Sequence, residues 1–265
     1  MLSENQIRAF DTFGFLVLKQ AFSPDEMDSI RQEAWSLWEQ ELGRRPDESE
    51  HVHIGEFVEK RERLTELVVD DRIHQPMMQL MGDDFIWSGS EGNISVQTGK
   101  ESHHWHADRF GEQEVNYLRI KIMLYLVPMR KENGALRLIP GSHRSPMHEQ
   151  LEPFVRRHGE DCPDFFGMTG QEVPSFIAET DPGDVLIFNH CLFHAVYLSN
   201  RRRSYIAMKF AARPTCDENL ASLTKWSPYA LRPHEAFRNS KTKKLQRMLE
   251  GLDELSERAE ALAGE

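Results

Sequence analysis

The chain has 265 residues, 39% of them hydrophobic, enough apolar side chain to wrap a substantial core and too much for a disordered polymer. Lysine and arginine total 32 against 43 aspartate and glutamate, a formal charge of −11 with no long basic block to offset it, which argues against a general nucleic-acid or anionic-membrane binder. The longest nearly uncharged apolar stretch, 122–129, is too short for a membrane span, the first residues lack a secretory signal, and Cys162, Cys191 and Cys216 form no close pair, so a cytoplasmic, reducing setting is expected.

Ser3 and Gln6 have capping-box spacing, which predicts a short helix before an apolar strand over 13–18. Ser23-Pro24-Asp25-Glu26 then starts a second helix, in which Met27, Ile30, Ala34, Leu37 and Trp38 keep helical spacing. The polar stretch 43–62 has no sustained period and reads as a surface excursion, a candidate lid. A further helix is predicted over 64–81, ending at Gly82, and the composition then turns to strands over 85–87, 93–97 and 118–127.

In the last of these strands Leu118, Ile120, Ile122, Leu124 and Leu126 share one face, while Arg119, Lys121, Met123 and Tyr125 occupy the other. Turn signals at Asn133-Gly134, Pro140-Gly141 and Pro182-Gly183 separate short β-prone runs, with the last strands over 184–189 and 204–210. The insertion 151–171 is aperiodic and is a second lid candidate. From Lys241 onward, Leu245, Met248, Leu249, Leu252 and Leu255 predict a terminal amphipathic helix that caps the domain or mediates self-association, with capping preferred.

Helices first and many short strands after them predict an α+β fold with a mainly β core, a barrel or double-sheet jelly roll supported by N-terminal helices. We expect one domain over 1–265, with helical support in 1–82, the β core in 83–212 carrying an insertion near 146–172, and a helical segment in 213–265.

The segment Ser102-His103-His104-Trp105-His106-Ala107-Asp108 carries the chemistry. On a strand, residues 106 and 108 point the same way, so an imidazole and a carboxylate converge. A third imidazole from a distant strand would complete two histidines and one carboxylate on one face of a divalent metal, leaving three positions open, a geometry suited to Fe(II) with a bidentate cosubstrate and oxygen. The run from Pro182 to His194 supplies His190 and His194, which spacing alone does not separate.

Arg203 opens the last strand, where its guanidinium can form a two-pronged bond to a carboxylate, with Arg201 and Arg202 as neighbouring alternatives. His103 and His104 read as outer hydrogen-bonding or exposed groups. Lys121 and Arg119 either enter the barrel, where they meet substrate or cosubstrate, or face solvent. Trp87, Trp105, Phe110 and Met123 are pocket or core residues, and Arg109, Trp105 and Phe110 are the candidate substrate contacts.

These pieces together resemble the phytanoyl-CoA dioxygenase family of Fe(II)- and 2-oxoglutarate-dependent oxygenases, which includes the ectoine hydroxylases. The matching segments are Gly14-Phe15-Leu16-Val17 followed by the Ser23-Pro24 helix; Trp105 to Asp108; Glu132 to His143; and Pro182 to Arg203. The resemblance implies a cupin-like double-stranded β-helix. It also implies His106, Asp108 and His194 as ligands of Fe(II), with 2-oxoglutarate and O2 as cosubstrates. Arg203 would hold the distal carboxylate of 2-oxoglutarate, with Asn93 as a further contact. Lys121, from the polar face of its strand, and Tyr205, as a helper for Arg203 in place of the missing serine, are candidate cosubstrate contacts on the residues of this chain itself.

Two features depart from the family pattern: Val196 stands where many members carry a serine, and the spacing to the arginine is slightly short. Glu132 to His143 reads as structural, its glycine and proline making turns. Retention of Asp108, which related halogenases replace with a small residue, favours hydroxylation of an unactivated C–H bond of a small molecule, with release of succinate and CO2. The alternatives are desaturation, epimerisation, cyclisation or demethylation on the same fold, a noncatalytic metal-dependent binding protein, and a zinc hydrolase, in which the arginine has no task. The expected partner is a small-molecule substrate, with no nucleic acid or membrane, and the expected state is a monomer or weak homodimer.

Overall fold

The computed structural model describes residues 1–47, 50–95, 103–156, 167–198, 202–227 and 230–263. Helix α1 (Glu4–Phe13) begins at the expected capping box, in which the Ser3 hydroxyl accepts from the Gln6 amide and the Gln6 side chain accepts from the Ser3 amide. It ends at Gly14, whose φ of +84° is left-handed and where a Cβ would lie 2.5 Å from His143 Nδ1, so only glycine fits the turn into strand β1 (Phe15–Leu18). Helix α2 (Pro24–Leu42) has a second capping box, Ser23 with Glu26, and buries the predicted Met27, Ile30, Ala34, Leu37 and Trp38.

The polar stretch after α2 corrects the expectation of a surface excursion. Val52–Gly55 forms β2, an edge strand, and a 3-10 turn (Val58–Lys60) follows, with Phe57 and Val58 fully buried. The single helix expected over 64–81 is two, α3 (Glu62–Val69) and α4 (Asp71–Met81), because the Asp70 carboxylate accepts from the Arg72 amide at 2.9 Å and caps a new helix.

The strands follow: β3 (Phe85–Ser95), β4 (His103–His106), then a short helix α5 (Glu112–Val115), β5 (Arg119–Tyr125), β6 (Leu136–Leu138), helix α6 (Met147–Arg156), β7 (Phe176–Ala178), β8 (Val185–Asn189), β9 (His194–Val196) and β10 (Arg203–Ala212). The two strands predicted over 85–87 and 93–97 are one strand, with residues 96–97 outside the described residues. The insertion expected over 151–171 begins inside α6, and 157–166 lie outside the described residues.

Among the described residues every strand pairing is antiparallel. A six-stranded sheet runs β1-β8-β5-β10-β3-β2 and a four-stranded sheet runs β4-β9-β6-β7, the two layers of a jelly roll. The outer face of the large sheet, with Ile120, Ile122, Leu124, Ile206 and Met208, packs on α2 and its neighbours, as the alternation of β5 predicts. The inner faces enclose Met123, Tyr125, Leu136, Phe188 and Val196.

Helices α7 (Asp217–Trp226), α8 (Glu235–Arg238), α9 (Lys243–Leu249) and α10 (Leu252–Ala263) complete the described chain. The terminal helix predicted from Lys241 is divided at Gly251, whose φ is +69°. Leu245, Met248 and Leu252 are buried and cap the fold as expected. Among the described residues no helix is long and apolar enough to cross a membrane.

Candidate metal centre

Strands β4 and β9 are neighbours in the small sheet, and their register sets His106 directly opposite His194. The two rings lie 4.3 Å apart between centroids. Asp108 follows β4 with its side chain on the same side, and its Oδ1 is 3.8 Å from His194 Nε2. One donor atom from each of the three residues falls within 4.8 Å of the others, the one such cluster among the described residues.

Each imidazole is aimed by its own backbone. His106 Nδ1 donates to the carbonyl of His104 at 2.7 Å, and His194 Nδ1 donates to the carbonyl of Leu192 at 2.8 Å. A carbonyl only accepts, so the proton sits on Nδ1 and the Nε2 lone pair is presented to the cluster. Burial, helped by the His106 ring, pushes His194 down to about 3, so it is a neutral donor at physiological pH. Burial pulls the Asp108 carboxyl upward, but the Lys121 ammonium and the surrounding imidazoles outweigh it and hold it well below the usual carboxylate range. Two imidazole nitrogens and one carboxylate oxygen on one side of a centre fit a divalent first-row metal and leave three positions for other ligands.

A cavity of about 270 Å³ opens in front of these donors. At its far end Arg203 is buried, with Nε and Nη2 donating to Ser95 Oγ at 3.2 and 3.1 Å and Nη1 to the carbonyl of Gly134 at 3.1 Å. Ser95 is the register partner of Arg203 on β3 and was not foreseen; its hydroxyl braces the guanidinium. Arg202 points elsewhere, toward the Pro46 carbonyl and the Trp35 ring, and Arg201 lies outside the described residues.

Asn93 and Tyr205 are also register partners, and both line the cavity. Asn93 accepts from His53 through Oδ1 at 2.8 Å, while its buried Nδ2 has no hydrogen-bond partner. His51, just before β2, His53 within it, and His103 at the start of β4 line the cavity. Burial, with Arg203 nearby, pushes His103 down to about 4.

Lys121 settles one open expectation: it points inward. Its Nζ lies 3.5 Å from Asp108 Oδ2 and 3.2 Å from Glu91 Oε1, and Glu91 Oε2 accepts from Lys209 Nζ at 2.7 Å. Burial raises the Glu91 carboxyl, but its two lysines more than reverse this and bring it down to about 2. The pull of Asp108 and Glu91 outweighs burial at Lys121 and keeps it protonated.

Four other expectations need correction. Arg119, one pair of residues before Lys121, neither enters the cavity nor faces solvent: it is buried against Ser222 and Glu114. Arg109 turns behind the site, where Nη1 donates to the Asp108 carbonyl and Nη2 to Ser227 Oγ at 3.2 Å. Trp105 alternates away from His106 and its Nε1 donates to the Gly170 carbonyl at 2.8 Å. Phe110 packs on Phe193, with centroids 5.8 Å apart. None of the four lines the cavity. His190, the alternative to His194, is buried with neither ring nitrogen hydrogen-bonded and is absent from the donor cluster.

Comparison with known proteins agrees with this architecture. Residues 10–203 match the phytanoyl-CoA dioxygenase family, and the chain belongs to that family. It is 26% identical over 155 residues to the ectoine dioxygenase of Streptomyces coelicolor, a match covering 54% of this chain and about half, 52%, of that relative. Among solved structures it is similar to HygX from Streptomyces hygroscopicus with nickel and 2-oxoglutarate bound, at a TM-score of 0.65 and 19% identity over 80% of this chain and 88% of that one. It is also similar to SnoK, a non-heme alpha ketoglutarate dependent carbocyclase from nogalamycin biosynthesis, at a TM-score of 0.61 and 18% identity over 80% and 84% of the two chains. These likenesses carry the jelly-roll fold.

Proposed function

We propose that the chain is an Fe(II)- and 2-oxoglutarate-dependent dioxygenase that hydroxylates an unactivated C–H bond of a small polar molecule, with succinate and CO2 as products. The observation that carries this reading is the convergence of His106 Nε2, His194 Nε2 and Asp108 Oδ1 at the head of a cavity that ends in a braced, buried arginine. Family membership and the metal and 2-oxoglutarate named for HygX support it. When bound, iron and 2-oxoglutarate supply the activation of oxygen and the oxidation of the substrate.

The chain's own residues bind and orient. His106, Asp108 and His194 hold the metal; Arg203, immobilised by Ser95 and the Gly134 carbonyl, receives the distal carboxylate. The unpartnered Asn93 amide and the Tyr205 hydroxyl are further polar contacts for the same cosubstrate. Met123, Leu136, Phe188 and Val196 keep the wall between the two ends dry. The substrate approaches between β2 and β4, where His51, His53 and His103 offer hydrogen bonds. A cavity of about 270 Å³, shared with a cosubstrate, selects a compact molecule or one that leaves part of itself outside.

Anaerobic addition of Fe(II) and 2-oxoglutarate to the folded chain gives a weak visible absorption from the metal–cosubstrate chelate, and a substrate screen gives succinate release with a product heavier by one oxygen atom. Absence of the absorption defeats the cosubstrate assignment. Succinate release with a lighter product replaces hydroxylation by desaturation or ring closure.

A further inference from the structure

The two carboxylate oxygens of Asp108 have different neighbours. Oδ1 faces His194 Nε2 at 3.8 Å, and Oδ2 faces Lys121 Nζ at 3.5 Å. Lys121 does not reach this position by chance of its own flexibility. Its ammonium is also drawn to Glu91 Oε1 at 3.2 Å, and Glu91 is held from the other side by Lys209 at 2.7 Å. The strands fix the row: Lys209 lies directly opposite Lys121 across β10 and β5, while Glu91 comes from β3 on the far side of β10. The four charged groups alternate in sign along the barrel wall.

A carboxylate beside a divalent cation can bind it through one oxygen or through both. An ammonium on one oxygen makes that oxygen a poorer and less available donor. We propose that Lys121 is a positioning residue that occupies Asp108 Oδ2 and restricts Asp108 to ligating through Oδ1 alone, with Glu91 and Lys209 holding Lys121 in place. This rests on the metal reading above. The consequence is a vacancy: with one oxygen from Asp108, three positions stay open for a two-pronged cosubstrate and oxygen, whereas a two-oxygen Asp108 closes one of them. The assignment also moves Lys121 from direct contact with 2-oxoglutarate to the carboxylate ligand.

The test compares the wild-type chain with Lys121→Met and Lys121→Arg, using Co(II) as the metal probe. Crystal structures of the Co(II) forms are expected to show one Asp108 oxygen on the metal in wild type and Lys121→Arg, and two in Lys121→Met. Titration should show Co(II) binding to Lys121→Met as tightly as to wild type or more so, while 2-oxoglutarate binds that Co(II) form about tenfold more weakly, with Lys121→Arg restoring the affinity. Because Lys121→Met leaves a carboxylate less well compensated, the double variant Lys121→Met/Glu91→Gln removes both members of the pair and carries the same test if the single variant does not fold.

One-oxygen ligation in the methionine variant, or two-oxygen ligation in wild type, overturns the proposal while leaving the metal reading intact. Failure of the folded wild-type chain to bind Co(II) overturns both.

Discussion

The wall in front of the candidate metal centre and the chamber behind it are built from the same kinds of residue with opposite outcomes. In front, Lys209, Glu91, Lys121 and Asp108 alternate in sign, and each charged group touches one of the other sign. Behind, Arg119 pairs with Glu114 only at 3.5 Å and gives one hydrogen bond, to Ser222, while its Nε and Nη1 find no partner. His190 sits there with both ring nitrogens unbonded.

Arg119 and Lys121 are two residues apart on one strand and share a face, so alternation alone treats them alike. What separates them is where the barrel ends. Lys121 still looks across to β3 and β10, whereas Arg119 meets α5 and α7. The comparison teaches that charge in front is paired group by group around the candidate metal centre, while charge behind is left partly uncompensated, a structural cost carried by the fold.

The largest effect expected falls in front. Asp108→Ala removes a donor and strands Lys121, so Co(II) affinity measured by titration drops well beyond the ~10–100-fold that outer partners of a metal site command. Retained affinity would remove Asp108 from the ligand set. Behind, Arg119→Met leaves Glu114 buried with Ser222 alone and costs about 3 kcal/mol in urea unfolding, with metal and 2-oxoglutarate affinities unchanged. A matching loss of metal affinity would erase the distinction between the two regions.

Arg203→Ala is next, weakening 2-oxoglutarate binding about 100-fold while sparing Co(II), since truncating one partner of a buried charged hydrogen bond costs about 2–5 kcal/mol. Equal weakening of both would place the arginine in the metal site instead. The smallest effect is that of His190→Phe, which removes two unbonded nitrogens and changes stability by no more than about 1 kcal/mol in either direction, with Co(II) binding intact. A loss of metal binding in that variant would restore His190 as a ligand.

Much of this was legible in the chain because it is local. Capping boxes at Ser3 and Ser23, the helical spacing from Met27 to Trp38, and the two-residue offset of His106 and Asp108 depend on neighbours a few residues away. The inner row of β5 was equally readable as a row. What it meets was not. Ser95 behind Arg203, and Glu91 and Lys209 behind Lys121, are set by cross-strand register between segments far apart in sequence.

The edge strand β2 hid in a polar stretch because only Val52 and Ile54 alternate there, and the pattern acquires meaning only when β3 pairs with it. The division of the expected helix over 64–81 turned on one side chain, Asp70, capping forward. Arg109, Trp105 and Phe110 were misplaced for a common reason: proximity in sequence to a ligand says little about which side of the strand or turn a side chain takes.

The two imidazoles are steered by carbonyl groups, at His104 and Leu192, rather than by other side chains. A carbonyl is blind to residue type, so the aim of both rings survives replacement of almost everything around them, provided β4 and β9 keep their register. The side chains on the walls of the cavity can therefore be changed without turning either ring away from the cluster.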